Sequence, residues 1–150
     1  MARAPFQVII LPFLQTDGEA PLYAIFHRRQ QAVWQAVSGG GEDLETPAQA
    51  AARETLEETG FVAGDGLFPL DSRASIPSAV FADIAHRPKH VFVVPEYAFG
   101  LRVTSTEIRL SSEHHEFAWL PFADAHERLT WDSNKVALWE LEQRLQARPE

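Results

Sequence analysis

The chain of 150 residues has no cysteine, so disulfides and thiolate metal sites are excluded. A reducing compartment is compatible with that. The chain is also short of cations, with 13 Lys and Arg against 21 Asp and Glu and a net charge of −8. This balance argues against general nucleic-acid binding. It also means that an anionic substrate would need cations supplied at its site. No apolar run approaches the roughly 18 residues of a membrane span. The opening Met-Ala-Arg-Ala-Pro-Phe-Gln lacks the apolar core of a signal peptide. Repeats, low-complexity tracts and linkers are lacking as well. The expectation is a single cytoplasmic domain over residues 1–150, away from membranes. The six histidines show no zinc-like spacing: His114 and His115 are neighbours, not one helical turn apart, so no zinc site is expected.

Apolar residues make up 45% of the chain, with four Trp and ten Phe, which is the composition of a globular protein. Phe6 to Phe13 is a dense apolar run and reads as a buried strand. A turn at 15–21, marked by Asp17-Gly18, leads into a second strand at 22–28, so the two predict a hairpin. Residues 34–37 read as a short strand entering a glycine turn. Residues 61–70 are weakly extended and broken by Gly64 and Gly66, and 75–85 carries no firm pattern. Residues 91–99 read as a strand in which Pro95 implies an edge position or a bulge. A further strand is expected at 116–120, and helices at 121–129 and 133–146. Val136, Leu138, Leu141 and Leu145 offer packing positions on the last helix. Strands around one central helix, followed by a C-terminal helix, predict an α/β fold with a mixed sheet between helical layers.

The central helix lies in residues 39–61, GGGEDLETPAQAAARETLEETGF. Thr46 suits the N-cap, Pro47 the first helical position, Gln49 a capping box and Gly60 the C-terminal stop. At about 100° per residue, Glu54, Glu57 and Glu58 share a face with the small Ala50, which leaves room above the carboxylates. Ala48, Ala52, Leu56 and Thr59 on the opposite side form a narrow apolar stripe able to press on a sheet. Three like charges on one face cost stability unless they are neutralised. Arg53 can bridge one of them and pair with Glu45. A hard divalent cation is the stronger answer, because Mg²⁺ takes oxygen ligands and is commonly held by carboxylates together with substrate phosphates.

The spacing Gly39-x5-Glu45-x7-Arg53-Glu54-x2-Glu57-Glu58-x-Gly60-Phe61 resembles the signature of the Nudix hydrolases at every fixed position. Thr55 stands at one of the two loose apolar positions. The resemblance implies an α/β/α sandwich, hydrolysis of a nucleoside diphosphate linked to another group, and use of Mg²⁺ or Mn²⁺. It implies that Glu54, Glu57 and Glu58 ligate the metal with a backbone carbonyl at Ser38–Gly39, while Arg53 and Glu45 orient the glutamates. The implied base is Glu54 or a carboxylate on a later loop; Glu113 is the candidate for that extra carboxylate, as metal ligand or base, and Glu116 its rival.

The flanks narrow the resemblance. His27-Arg28-Arg29, Trp34 to Gly39, Ser112-Glu113-His114, Trp119-Leu120 and Trp131 to Lys135 resemble the dihydroneopterin triphosphate pyrophosphatase branch, also labelled dATP pyrophosphohydrolase. Val37-Ser38 stands where many Nudix proteins have a proline before the glycines. The implied reaction releases pyrophosphate from a pterin or nucleoside triphosphate and leaves the monophosphate. Three alternatives stay open: another nucleoside diphosphate derivative such as ADP-ribose or a dinucleoside polyphosphate, a capped RNA end, or a nucleotide-binding module without turnover. A homodimer is also open.

Outside the box, Arg28 and Arg29 are candidate phosphate ligands, although neighbours on a strand face opposite ways and at most one should point at the site. Arg73 is another candidate. The basic cluster at 86–90 reads as a solvated loop ahead of a substrate-facing one. Phe81 and Trp34 are candidates to stack on a flat pterin or purine ring, with core packing the stronger reading for Trp34. Trp131 and Asn134 are expected to fix the start of the last helix, and Asn134 is also a candidate to read a base edge.

Overall fold

The computed structural model describes residues 3–80 and 90–147. The strands are β1 (Arg3–Leu14), β2 (Leu22–Arg28), β3 (Trp34–Gln35), β4 (Val37–Glu42), β5 (Leu67–Pro77), β6 (Val93–Arg102) and β7 (His114–Leu120). The helices are α1 (Pro47–Thr59), α2 (Phe122–Arg128) and α3 (Asp132–Gln146). The strands join in one mixed sheet ordered β3-β2-β1-β6-β5, with β4 paired to β1 and β7 to β2. β1 runs parallel to β6 and antiparallel to β2 and β4. The hairpin expected at 6–28 is present, with Phe13 opposite Tyr23.

From Val8 to Leu14 β1 is continuously apolar because both its faces are covered there. Ile9, Leu11 and Phe13 join Tyr23 and Ile25 of β2 against Ala125, Leu129, Leu138 and Leu141 of the α2–α3 layer. Val8 and Ile10 join Ala24, Phe26, Val37 and Phe99 against Ala50 and Ala51 of α1. The sheet therefore lies between helical layers, the α/β/α sandwich. Among the described residues, no helix is long and apolar enough to cross a membrane.

Several local expectations are corrected. Gly39 to Gly41 do not form a turn; they lie in β4 opposite β1, and the turn follows at Asp43, where φ is +50°. The packed side of α1 is not the Ala48–Ala52–Leu56 stripe, since Leu56 is 52% exposed. Ala50, Ala51, Glu54, Thr55, Glu58 and Thr59 are the buried residues. Thr55 is tolerated there because its hydroxyl donates to the Ala51 carbonyl at 2.7 Å. Residues 67–77 form one strand where only a weak extended segment was expected, because β5 alternates partly buried and exposed positions at the edge of the sheet. Pro95 sits opposite Ser75 of β5, just before pairing with β1 begins at Glu96, so its missing N–H breaks no bond to β1. Val136 is 57% exposed and does not pack, whereas Ala137 is buried. Phe81 and residues 86–89 lie outside the described residues.

Candidate metal centre

The α1 helix starts and stops as its sequence dictates. The Thr46 side chain accepts from Gln49 N at 3.2 Å and the Gln49 side chain accepts from Thr46 N at 2.9 Å. Gly60 closes the helix at φ +82°, a left-handed conformation that favours glycine. Between these caps Glu54 and Glu58 point inward and Glu57 outward.

Glu54 lies directly against Gly39 of β4. A Cβ at position 39 would overlap the Glu54 carboxylate, so only glycine allows this approach. Burial pushes the Glu54 carboxyl up to about 7, even though Arg53 beside it pulls the other way. Arg53 donates to Glu45 through Nε at 2.8 Å and Nη2 at 3.0 Å, to Glu54 Oε1 at 2.9 Å and to the Gly40 carbonyl at 2.9 Å. Glu45 in turn accepts from Glu42 N at 2.8 Å. The hydrogen bonds from Arg53 hold the Glu45 carboxyl below its usual range. The fork of Arg53 thus pins α1, the turn after β4 and the glycine strand to one another.

Glu58 is held from the other side. Its Oε2 accepts from Ser111 Oγ at 2.5 Å and contacts His114 Nδ1 at 3.1 Å. Burial alone would raise this carboxyl; hydrogen bonds from His114 and Ser111, with the charges of His114 and Arg28, outweigh it and keep the group below the usual carboxylate range. His114 is itself buried, and its Nε2 lies 3.5 Å from the Gln35 amide nitrogen. If that amide donates, the other ring nitrogen carries the proton and points it at Glu58, the arrangement that fixes a carboxylate through a histidine. Gln35 also accepts from Trp131 Nε1 at 3.1 Å, so the chain of contacts runs from Glu58 to the start of α3.

Glu113 sits on the loop before β7. Partial burial and the neighbouring charge of Glu58 push its carboxyl up. Arg29 ties that loop down, its backbone N–H donating to the Glu113 carbonyl at 2.8 Å and its Nε to the Ser112 carbonyl at 3.0 Å. Arg28, by contrast, acts on Glu58 and Glu113 through its charge. Glu116 approaches His27 and His115. Arg73 lies over the Tyr97 ring at 4.8 Å. The Trp34 ring meets His27 on one side and Arg128 on another, against the α2–α3 core. Asn134 is buried and accepts from Ala36 N at 2.8 Å, which joins α3 to the sheet. Ser38 Oγ lies 3.3 Å from the Gln35 amide. His114 and Gln35 stood in the flanking resemblance without a role and Ser111 was not named; no local spacing joins them to α1.

A family model of the NUDIX domain matches residues 5–139. The chain belongs to the Nudix family. Nudix hydrolases generally use divalent metals. A NUDIX hydrolase of Listeria monocytogenes is 41% identical, with a TM-score of 0.83 over 95% of each chain. The dihydroneopterin triphosphate pyrophosphohydrolase of E. coli is 22% identical, with a TM-score of 0.78 over 95% of this chain and 98% of its own, which shows a shared fold. An octanoyltransferase of Myxococcus xanthus is 33% identical over 131 residues, covering 85% of this chain. The chain spans 34% of that protein's length, about a third.

Proposed function

We propose that this Nudix hydrolase is a Mg²⁺-dependent pyrophosphohydrolase that cleaves dihydroneopterin triphosphate or a nucleoside triphosphate such as dATP to the monophosphate and pyrophosphate. The observation that carries the reading is that Glu54 and Glu58 are the two buried carboxylates of α1 and Glu54 feels the charge of Glu58, one pressed on Gly39 and the other held by Ser111 and His114, with Glu57 open to solvent beside them. These donors are all oxygens, the set a hard divalent cation takes. Glu54, Glu57 and Glu58 would hold it, with a backbone carbonyl near Ser38–Gly39 and Glu113 adjacent. Mg²⁺ bound there supplies neutralisation of the phosphate oxygens and a lowered pKa for the attacking water.

The side chains divide the remaining work. Glu58 stays ionised over the working pH range because His114 and Ser111 hold it so. Glu54, with a carboxyl near 7, suits proton transfer from water at neutral pH, and Glu113 is the second candidate for that role. Arg53 and Glu45 position the glutamates. Arg28 is the cation placed to meet a phosphate. The triphosphate assignment rests on the flanking residues His27 to Arg29 and Ser112 to His114, and the whole of 1–150 is proposed as one domain.

The test is a hydrolysis panel with Mg²⁺, scoring pyrophosphate against phosphate for dihydroneopterin triphosphate, dATP, other nucleoside triphosphates, ADP-ribose and diadenosine polyphosphates. Pyrophosphate release is expected, and its loss in Glu57→Gln and Glu58→Gln. Full activity in both folded variants would remove the assigned site. AMP release from ADP-ribose as the fastest reaction would keep the catalytic carboxylates and overturn the substrate.

A further inference from the structure

A second group of potential ligands lies at the β2–β7 pairing. β2 places His27 opposite Glu116, and the register slips between His27 and Arg28, so that Arg28 stands opposite His114. That slip brings His115 onto His27. His27 Nδ1 is 2.9 Å from His115 Nε2 and 4.0 Å from Glu116 Oε1, and His115 Nε2 is 3.6 Å from the same oxygen. All three ligand atoms lie within 4.8 Å of one another, and among the described residues no other group of three His, Cys, Asp or Glu does this.

The spacing fits one kind of ion. Ligands bound tetrahedrally at roughly 2.0–2.1 Å stand about 3.3 Å apart. The three separations fall on either side of that value without rearrangement of the strands. Two imidazoles and one carboxylate suit a borderline ion such as Zn²⁺ better than Mg²⁺, which prefers oxygen. The three side chains are partly or well exposed, with relative accessibilities of 20%, 37% and 55%, so an ion can enter. The two imidazole nitrogens face each other at hydrogen-bond distance, and a cation bound by both would take the place of the proton they share. Spacing along the chain spoke against a zinc site, but these ligands come from two strands that only the fold brings together.

The site is separate from the α1 carboxylates. Tyr23 and Ile25 of β2 face the α2–α3 layer, and His27 follows them in the alternation; its ring meets Trp34 of β3, which packs on the same side of the sheet, at 5.0 Å and a tilt of 53°. Ala24 and Phe26 face α1, and Phe26 packs on His114. His115 therefore stands one residue from the histidine that holds Glu58, on the opposite side of β7.

We propose that His27, His115 and Glu116 form a Zn²⁺ site that clamps β2 to β7 beside the catalytic loop, with at least one coordination position left for water. The proposal does not depend on the substrate assigned above. The experiment is isothermal titration of ZnCl₂ into the full chain, free of any polyhistidine tag and saturated with Mg²⁺, with a thermal melt in parallel. One saturable site and a raised Tm are expected. His115→Ala and His27→Ala should weaken Zn²⁺ binding at least about tenfold, with circular dichroism confirming their fold and His115→Gln as a milder second variant. Glu57→Gln should bind Zn²⁺ as the parent does. Absence of a saturable site overturns the proposal. So does Zn²⁺ binding that survives both histidine changes and disappears in Glu57→Gln, because the ion would then sit on α1.

Discussion

Glu54 carries two opposed demands. Its carboxylate lies against β4, beside the cation of Arg53, and that approach removes it from water. Burial raises its pKa from 4.5 to about 7, so in the metal-free protein the folded state prefers the protonated acid. A raised acid contributes stability that is present below the unfolded pKa and is lost as pH rises through the folded one. The loss falls between pH 4.5 and about 7 and amounts to about 3 kcal/mol at 1.36 kcal/mol per pH unit. Glu54→Gln removes this titration. With a chelator present, urea unfolding of the parent should lose about 3 kcal/mol relative to Glu54→Gln across that window. Glu58 titrates in the opposite sense, but it is present in both proteins and cancels. A difference that stays flat with pH would show that Glu54 is not desolvated. The five residues Glu45, Arg53, Glu54, Glu57 and Glu58 were legible in the sequence because a helix and its preceding turn are local. Ser111, His114 and Gln35 were not, since they meet across 53 to 79 positions through strand pairing.

At the scale of elements, β4 explains why glycine recurs. None of Gly39, Gly40 and Gly41 has positive φ, so backbone freedom is not what they supply. They supply absence of side chain: a Cβ at 39 meets the Glu54 carboxylate and one at 41 meets the Phe6 ring. The two contacts differ in kind, and substitution should separate them. Gly39→Ala displaces a carboxylate at the end of a flexible side chain, so hydrolysis should fall at least tenfold with little change in Tm. Gly41→Ala presses on a ring fixed in the core between β4 and Tyr97, at a cost of about 1–3 kcal/mol in stability. Parallel melts and rate measurements on both variants check this; equal loss of Tm in both would refute the distinction. A turn was the expectation here because three consecutive glycines carry the same signal for a turn as for close approach. The orientation of α1 was misread for a related reason: helical periodicity identifies a face, and the polar face is the buried one when carboxylates are the working groups.

At the scale of the molecule, the α/β/α layering was legible because β1 is apolar on both sides, which requires cover on both. What periodicity could not show is how the α2–α3 layer is locked to the sheet near the site. Tyr23 Oη donates to Glu142 at 2.6 Å at one end of α3. At the other end the Asn134 side-chain oxygen accepts from Ala36 N, and Trp131 Nε1 donates to Gln35. The bond to Ala36 is buried, and Ala36 sits between β3 and β4. Removing its acceptor leaves a backbone N–H unpaired in the core, which costs about 1–3 kcal/mol. Asn134→Ala should therefore lower stability by that amount. The same substitution separates two roles for Asn134. If it only locks the layers, the loss appears in chemical unfolding and KM stays near the parent value. If its amide nitrogen, which donates to Ser133 Oγ at 3.2 Å, also reads the ring of the substrate, KM rises for the preferred substrate more than for triphosphates with other bases. Burial of Asn134 and the bond from its amide nitrogen to Ser133 Oγ at 3.2 Å favour the first outcome. An unchanged unfolding midpoint would mean that the Asn134–Ala36 bond contributes nothing to locking the α2–α3 layer to the sheet.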